Sequence, residues 1–206
     1  MRRVISHSVV SRSIQRSVPF QIERWITPPQ TVGKIDAASR QLNAAILLWF
    51  SEGDPVPIHT LACSAHQIVH DINRQRGGLD LIYDNLNFKD EYRRQVIKHL
   101  KQHYNFFKHA DTDADASIEF DSKITEWFIL YTSLGLEFLG CRPDEIRGAF
   151  NIYYALLNPQ FLSKKGRVNW IESISQEART FALRMRKYQF FAWYTRLRRA
   201  AASGSS

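Results

Sequence analysis

Apolar residues recur every three to four positions through most of this chain, and clusters of Gly and Pro interrupt the pattern at about one helix length. That period places an apolar stripe on each of a series of amphipathic helices, and no stretch sustains the alternation of a half-buried strand. Ile35, Ala38, Leu42, Ala45, Ile46 and Trp49 form the first stripe, which Gly53-Asp54-Pro55 stops. Ile58, Leu61, Ala65, Ile68 and Ile72 form a second over about 57–74, ended by Gly77-Gly78. Residues 79–88 read as a connector with some extended character. A third helix opens at Lys89 or Asp90, with Tyr92, Val96, Leu100, His103 and Phe107 on its inner face. A fourth is expected over about 120–139, and a fifth starts after Pro143-Asp144 and runs to about Leu157, where Asn158-Pro159 breaks it. Residues 169–200 predict one long final helix. The expected fold is therefore all-α, a single bundle of about five to six helices over 34–200 with short connections.

Charge is unevenly spread along this pattern. The chain of 206 residues carries a formal +8. Residues 1–33 hold five Arg against Glu23, and residues 164–206 hold ten Lys and Arg against Glu172 and Glu177. The stretch between has 13 basic and 17 acidic residues, so an acidic body lies between two basic ends, which excludes a uniformly cationic nucleic-acid coat.

The longest unbroken apolar run, 44–50, is far short of the roughly 20 residues that cross a bilayer. Cys63 and Cys141 are the only cysteines, too few for a disulfide scaffold or a four-Cys zinc site, and this usage suits a reducing compartment. A cytoplasmic location is expected. Residues 1–20 are rich in Arg and Ser, carry no acid, and place Val10, Ile14 and Val18 on one stripe. That is also the composition of a mitochondrial transit peptide, which leaves a mitochondrial location as the alternative. Residues 1–33 are read as a flexible basic leader and 201–206 as a disordered tail.

Two groups have metal-ligand character. The run from Asp111 to Ser122 resembles an EF-hand calcium loop, with Asp111, Asp113 and Asp115 at positions 1, 3 and 5. Ala116 stands where the loop needs Gly, and Ser122 where it needs a bidentate Glu, so the run is read as a solvated acidic turn. His66 and His70 stand four apart with His59 one turn earlier, the spacing of a zinc pair, but no Glu is placed for metalloprotease chemistry. They are read as a polar helix face or core-edge histidines, and no metal is expected.

The third helix is the most informative segment. At about 100° per residue, Arg94, Lys98, Lys101, Asn105, Lys108 and His109 return to within about 60° of one direction. This strip attracts phosphate, and an imidazole beside it can move a proton. Within it, Tyr104-Asn105-Phe106-Phe107-Lys108-His109 resembles the Arg-Asn-x-x-x-His motif of the HEPN superfamily (higher eukaryotes and prokaryotes nucleotide-binding). Asn105 and His109 match by spacing, and Tyr104 takes the place of the Arg. A second frame, Arg94-Gln-Val-Ile-Lys-His99, satisfies the looser Arg-x-x-x-x-His form. The resemblance covers about 34–140. It implies a small helical bundle, many of whose relatives are dimeric, metal-independent ribonucleases of toxin and defence systems. It also implies His109 as acid/base and Asn105 as the residue orienting it or the phosphate, with no cofactor, at a cleft between two copies.

The final segment interleaves Arg179, Arg184, Arg186, Lys187, Arg196, Arg198 and Arg199 with Phe181, Tyr188, Phe190, Phe191, Trp193 and Tyr194. Arg and Lys pair with phosphate and aromatics stack on bases, so Arg184, Lys187 and Arg196 join Arg94, Lys98, Lys101 and Lys108 as candidate nucleic-acid contacts. The same pattern suits a helix packed on a protein partner, its Arg stems covering apolar surface. The sequence thus supports two functions: an RNA- or nucleotide-binding domain with a weak or degenerate ribonuclease activity, expected as a homodimer, and a non-enzymatic adaptor anchored by its basic ends in a larger assembly.

Overall fold

A computed structural model describes residues 29–78, 81–83, 90–111, 113–162, 164, 171–172 and 174–203. Most of the basic leader and residues 204–206 lie outside that set. Among the described residues the chain is all helical, with no strand. The helices are α1 (Lys34–Phe50), α2 (Pro55–Gln75), α3 (Asp90–Lys108), α4 (Lys123–Phe138), α5 (Glu145–Leu157), α6 (Gln176–Leu183) and α7 (Lys187–Ser203), with a 3-10 turn at Pro159–Phe161.

Local chemistry sets these boundaries. Asp54 accepts from the Val56 N–H (2.8 Å) with Pro55 at the first helical position, so α2 starts two residues earlier than the apolar pattern indicates. Asp144 caps α5 through the Ile146 and Arg147 N–H groups, and also accepts from Asn43 Nδ2 at 2.6 Å, tying that start to α1. Ser175 caps α6 through the Ala178 N–H.

The predicted long final helix is broken. Gln189, at the third position of α7, reaches back to the Arg186 N–H (2.9 Å), and the Tyr153 hydroxyl donates to the Met185 carbonyl (3.1 Å). Together they satisfy backbone groups that a continuous helix would bond internally, so the chain turns at 184–186. The second helix then continues through Ala201 to Ser203, into what the composition marks as tail.

Helix α2 packs between α1 and α4, α3 lies on α2, and α7 covers α5 and α1. Gly135 lets α4 approach α2 closely: a Cβ there would meet Val69 Cγ1 at 2.6 Å. Phe50, Phe150, Tyr153 and Phe190 form the aromatic seam under α7, with Phe190 and Tyr153 ring centroids 4.5 Å apart. No described helix is long and apolar enough to cross a membrane.

Because α2 has neighbours on two sides, it buries more than the predicted stripe. Ile58 and Ala65 are buried as expected, but so are His59, Cys63, His66, His70 and Asn73, while Leu61, Ile68 and Ile72 are only partly covered. The histidines read as a polar or core-edge face are in fact core.

Candidate functional site

The last three turns of α3 and the loop after it form an open groove of ≈ 450 Å³. Lys98, Gln102, Asn105, Phe106 and His109 line one side; Asp111, Asp113, Ala116, Ser117 and Ile118 line the other. The His109 N–H still bonds to the Asn105 carbonyl (3.1 Å), so the helical turn carries both side chains to the same side. The loop is held against α3 by a half-buried anchor. Phe120 packs on His59, His103 and Phe107 at ring-centroid distances of 4.9, 5.1 and 5.1 Å, and His103 Nε2 donates to the Glu119 carbonyl (2.9 Å). Exposed acids thus stand opposite an exposed amide and imidazole on a rigid support.

The basic strip of α3 is divided by this geometry. Lys98, Asn105 and His109 fall on the groove side. Lys101 turns the other way: its ammonium sits 4.4 Å over the Tyr83 ring and donates to Gln67 Oε1 (3.2 Å), placing it against α2. Lys108 lies over the Tyr104 ring (4.4 Å) and donates to its hydroxyl (3.2 Å), outside the groove lining. Arg94 is exposed one turn before Lys98. The small angular differences within one helical strip decide this, because a lysine at the strip's edge reaches a nearby aromatic, Tyr83 in the connector before α3 or Tyr104 on α3 itself, more readily than open solvent.

The candidates of the final segment do not join the groove. Arg184 is exposed at the end of α6 and Arg196 is exposed on α7. Lys187 is half-buried with its ammonium 3.7 Å over the Trp49 ring, in a separate cleft at the start of α7.

The core histidines are held by packing partners. Among the described residues no group of three or more His, Cys, Asp or Glu side chains converges on a point that could hold an ion, which applies equally to Asp111, Asp113 and Asp115. His59 Nδ1 is hydrogen-bonded to Thr125 Oγ1 (2.9 Å) and its Nε2 lies 3.3 Å from Cys63 Sγ. Burial, with His103 nearby, pulls His59 down to about 4, and burial, with His70 and Lys101, holds His66 well below the usual imidazole range. Both are neutral packing groups at pH 7. Burial likewise pushes the Cys63 thiol up, so it is not a nucleophile.

No known protein family, curated protein or solved structure matches the chain.

Sequence reasoning missed one part of the site. Asp111 and Asp113 are exposed in a loop, as expected of a solvated acidic turn, and they also line the groove that His109 lines. Phe120, which fixes that loop, sits at the predicted start of a helix and carries no signal of its role. The aromatic spacing Phe107, Phe120 and Phe128 around a His59 and His103 pair is visible only once the helices are assembled.

Proposed function

We propose that the α3 groove binds RNA or a nucleotide, and that His109 gives it a weak, metal-independent ribonuclease activity. The observation that carries this reading is the convergence of Lys98, Asn105 and His109 on one open groove of ≈ 450 Å³. Lys98 supplies charge for a phosphate, with Arg94 one turn away along the strand's path. Phe106 offers a face for a base, and Asp111 and Asp113 can accept hydrogen bonds from ribose hydroxyls or base amino groups. In the reaction the ribose 2′-oxygen attacks the adjacent phosphorus and the bond to the 5′-oxygen breaks. His109 takes the 2′-hydroxyl proton or, when protonated, gives one to the leaving oxygen, with Asn105 holding the phosphate or the ring. One groove offers a single imidazole for two proton transfers, so a homodimer that brings two grooves together completes this reading. The HEPN resemblance of Asn105 and His109 supports it.

Cleavage of a labelled single-stranded RNA by the purified chain is the test. His109→Ala should lose cleavage by about 100-fold or more with an unchanged melting temperature, and binding should weaken steeply with salt. Equal cleavage by wild type and His109→Ala removes the catalytic role, and salt-insensitive binding removes the phosphate contact.

A second reading, a non-enzymatic adaptor, is favoured by a different observation. A second groove of ≈ 450 Å³ between α5, α6 and α7 is lined by Ile152, Leu156, Ala182, Trp193 and Leu197, and Phe181, Leu183 and Tyr188 are exposed on α6 and α7. An apolar surface of that kind suits a protein partner. Solution mass before and after nuclease treatment separates the readings, since the adaptor would purify free of nucleic acid and its mass would not change.

A further inference from the structure

A cleft of ≈ 180 Å³ opens where α1 ends and where α2, α4 and α7 begin, away from the α3 groove. Its walls carry two ammonium groups, Lys123 and Lys187, and two carboxylates, Glu52 and Glu126, around the Trp49 indole. The charges are not consumed by one another: among the described residues no carboxylate lies within 4 Å of the Lys187 ammonium, which rests instead on the Trp49 ring at 3.7 Å. Trp49 Nε1–H donates to Glu126 Oε1 (3.2 Å), which fixes that carboxylate at the wall. Burial raises the Glu126 carboxyl and lowers the Lys187 ammonium, the cost of holding both charges half out of water without a direct pair.

Glu52 adds a second observation. It is the one described non-glycine residue with positive φ (54°), at the left-handed position that follows α1, where the Gly53 N–H bonds back to the Leu48 carbonyl (2.9 Å). Glycine is the residue that position favours. A glutamate there carries backbone strain, and it lines the cleft.

We propose that this cleft binds a small zwitterion of the free α-amino-acid class, its carboxylate on the Lys187 ammonium and its ammonium on the Glu52 and Glu126 carboxylates. The volume holds about six water-sized groups, the size of glycine, alanine or serine. The cleft carries two charges of each sign, so a ligand with both a carboxylate and an ammonium can pair with both kinds, whereas a simple anion or cation leaves one kind without a partner. The proposal is independent of the RNA reading.

The test is titration of the full-length protein with glycine, L-alanine and L-serine, and with acetate and methylammonium as half-ligands. It is followed through the indole N–H resonance of Trp49, identified by Trp49→Phe. At least one amino acid should shift that resonance saturably, with each half-ligand about tenfold weaker or worse. Lys187→Met and Glu126→Gln should each weaken binding by a similar factor. Glu52→Gly should also weaken it while leaving the melting temperature unchanged or higher, which a merely structural cluster would not do. No saturable shift with any of the three amino acids, equal binding of acetate alone, or unweakened binding by Glu52→Gly overturns the proposal.

Discussion

Four imidazoles, those of His59, His66, His103 and His109, lie on α2, on α3 and just beyond the end of α3, and the fold treats them in two opposite ways. His59, His66 and His103 are buried among Phe107, Phe120, Phe128 and Tyr83, and their rings meet these neighbours mostly edge to face. His109 stands in the open on the groove. The same side chain is a packing group where aromatic neighbours enclose it and a candidate proton carrier where water reaches it. Which role a histidine takes is set by which neighbours the helices bring to it.

The sharpest way to break this comparison is to remove the wall of the buried set. Phe128 is fully buried and meets both His59 (5.5 Å) and His66 (5.2 Å) edge-on. Phe128→Ala should cost about 3–5 kcal/mol, read as a lowered urea midpoint at unchanged slope. If the two regions are as separate as their environments indicate, amide resonances of Asn105 and His109 stay in place in the fraction that remains folded. A shift of the groove resonances as large as that of the core would show that the groove is not independently supported.

A smaller effect is expected from acid. His59 is held at about 4 and His66 well below 6.5, so in the unfolded chain both take up protons as the pH falls through 6.5, while in the fold they do not. Between pH 6.5 and about 4 the unfolded state therefore binds more protons, and stability falls as the pH is lowered across that window. Above it the contribution is constant. The loss should reach a few kcal/mol, on the order of 1.4 kcal/mol for each unit by which a folded value is depressed. Chemical denaturation at stepped pH reads it directly. His66→Phe should flatten the slope. An equal slope in wild type and His66→Phe would mean that carboxylates, not the buried imidazoles, drive the acid response.

Much of this arrangement was legible in the sequence, for physical reasons that differ by element. Helix α1 meets α2, α4, α5 and α7, yet its buried side chains are nearly all apolar, so its period names most of them: Ala38, Leu42, Ala45, Ile46 and Trp49 are core, and Ile35 is partly buried. Helix α2 buries polar side chains as well, and its apolar period names only one of its buried faces. The histidines of the other face are polar by type, and nothing local shows that Phe120 and Phe128, some fifty to seventy residues later, will cover them. The break before α7 was hidden for a similar reason. Gln189 is half of a capping pair whose usual Ser or Thr partner is Arg186 here, and the hydroxyl that takes the Met185 carbonyl comes from Tyr153 on another helix. At the groove, the spacing of Asn105 and His109 was sufficient to place them together because both sit in one helical turn. The assignment of Lys101 and Lys108 to the same face was not, because a lysine's reach is set by what lies beside the helix.

The least of the expected effects concerns the acidic wall. Asp111 and Asp113 stand across the groove from Lys98 and His109, and all four are exposed. If a phosphate sits on the Lys98 side, the two carboxylates repel it weakly through water, by about 0.2–1 kcal/mol as for other exposed charge pairs. The double variant Asp111→Asn and Asp113→Asn should then bind a short labelled oligoribonucleotide a few-fold more tightly at low salt, with the gain shrinking as added salt screens it. Asparagine keeps the hydrogen-bonding shape of the wall, so a change of this sign isolates the charge. Weaker binding instead would mean that the carboxylates accept hydrogen bonds from the ligand strongly enough to outweigh their repulsion. The groove would then be selective for a sugar or base edge rather than for the phosphate alone, and the contrast with the buried imidazoles would rest on recognition as much as on access to water.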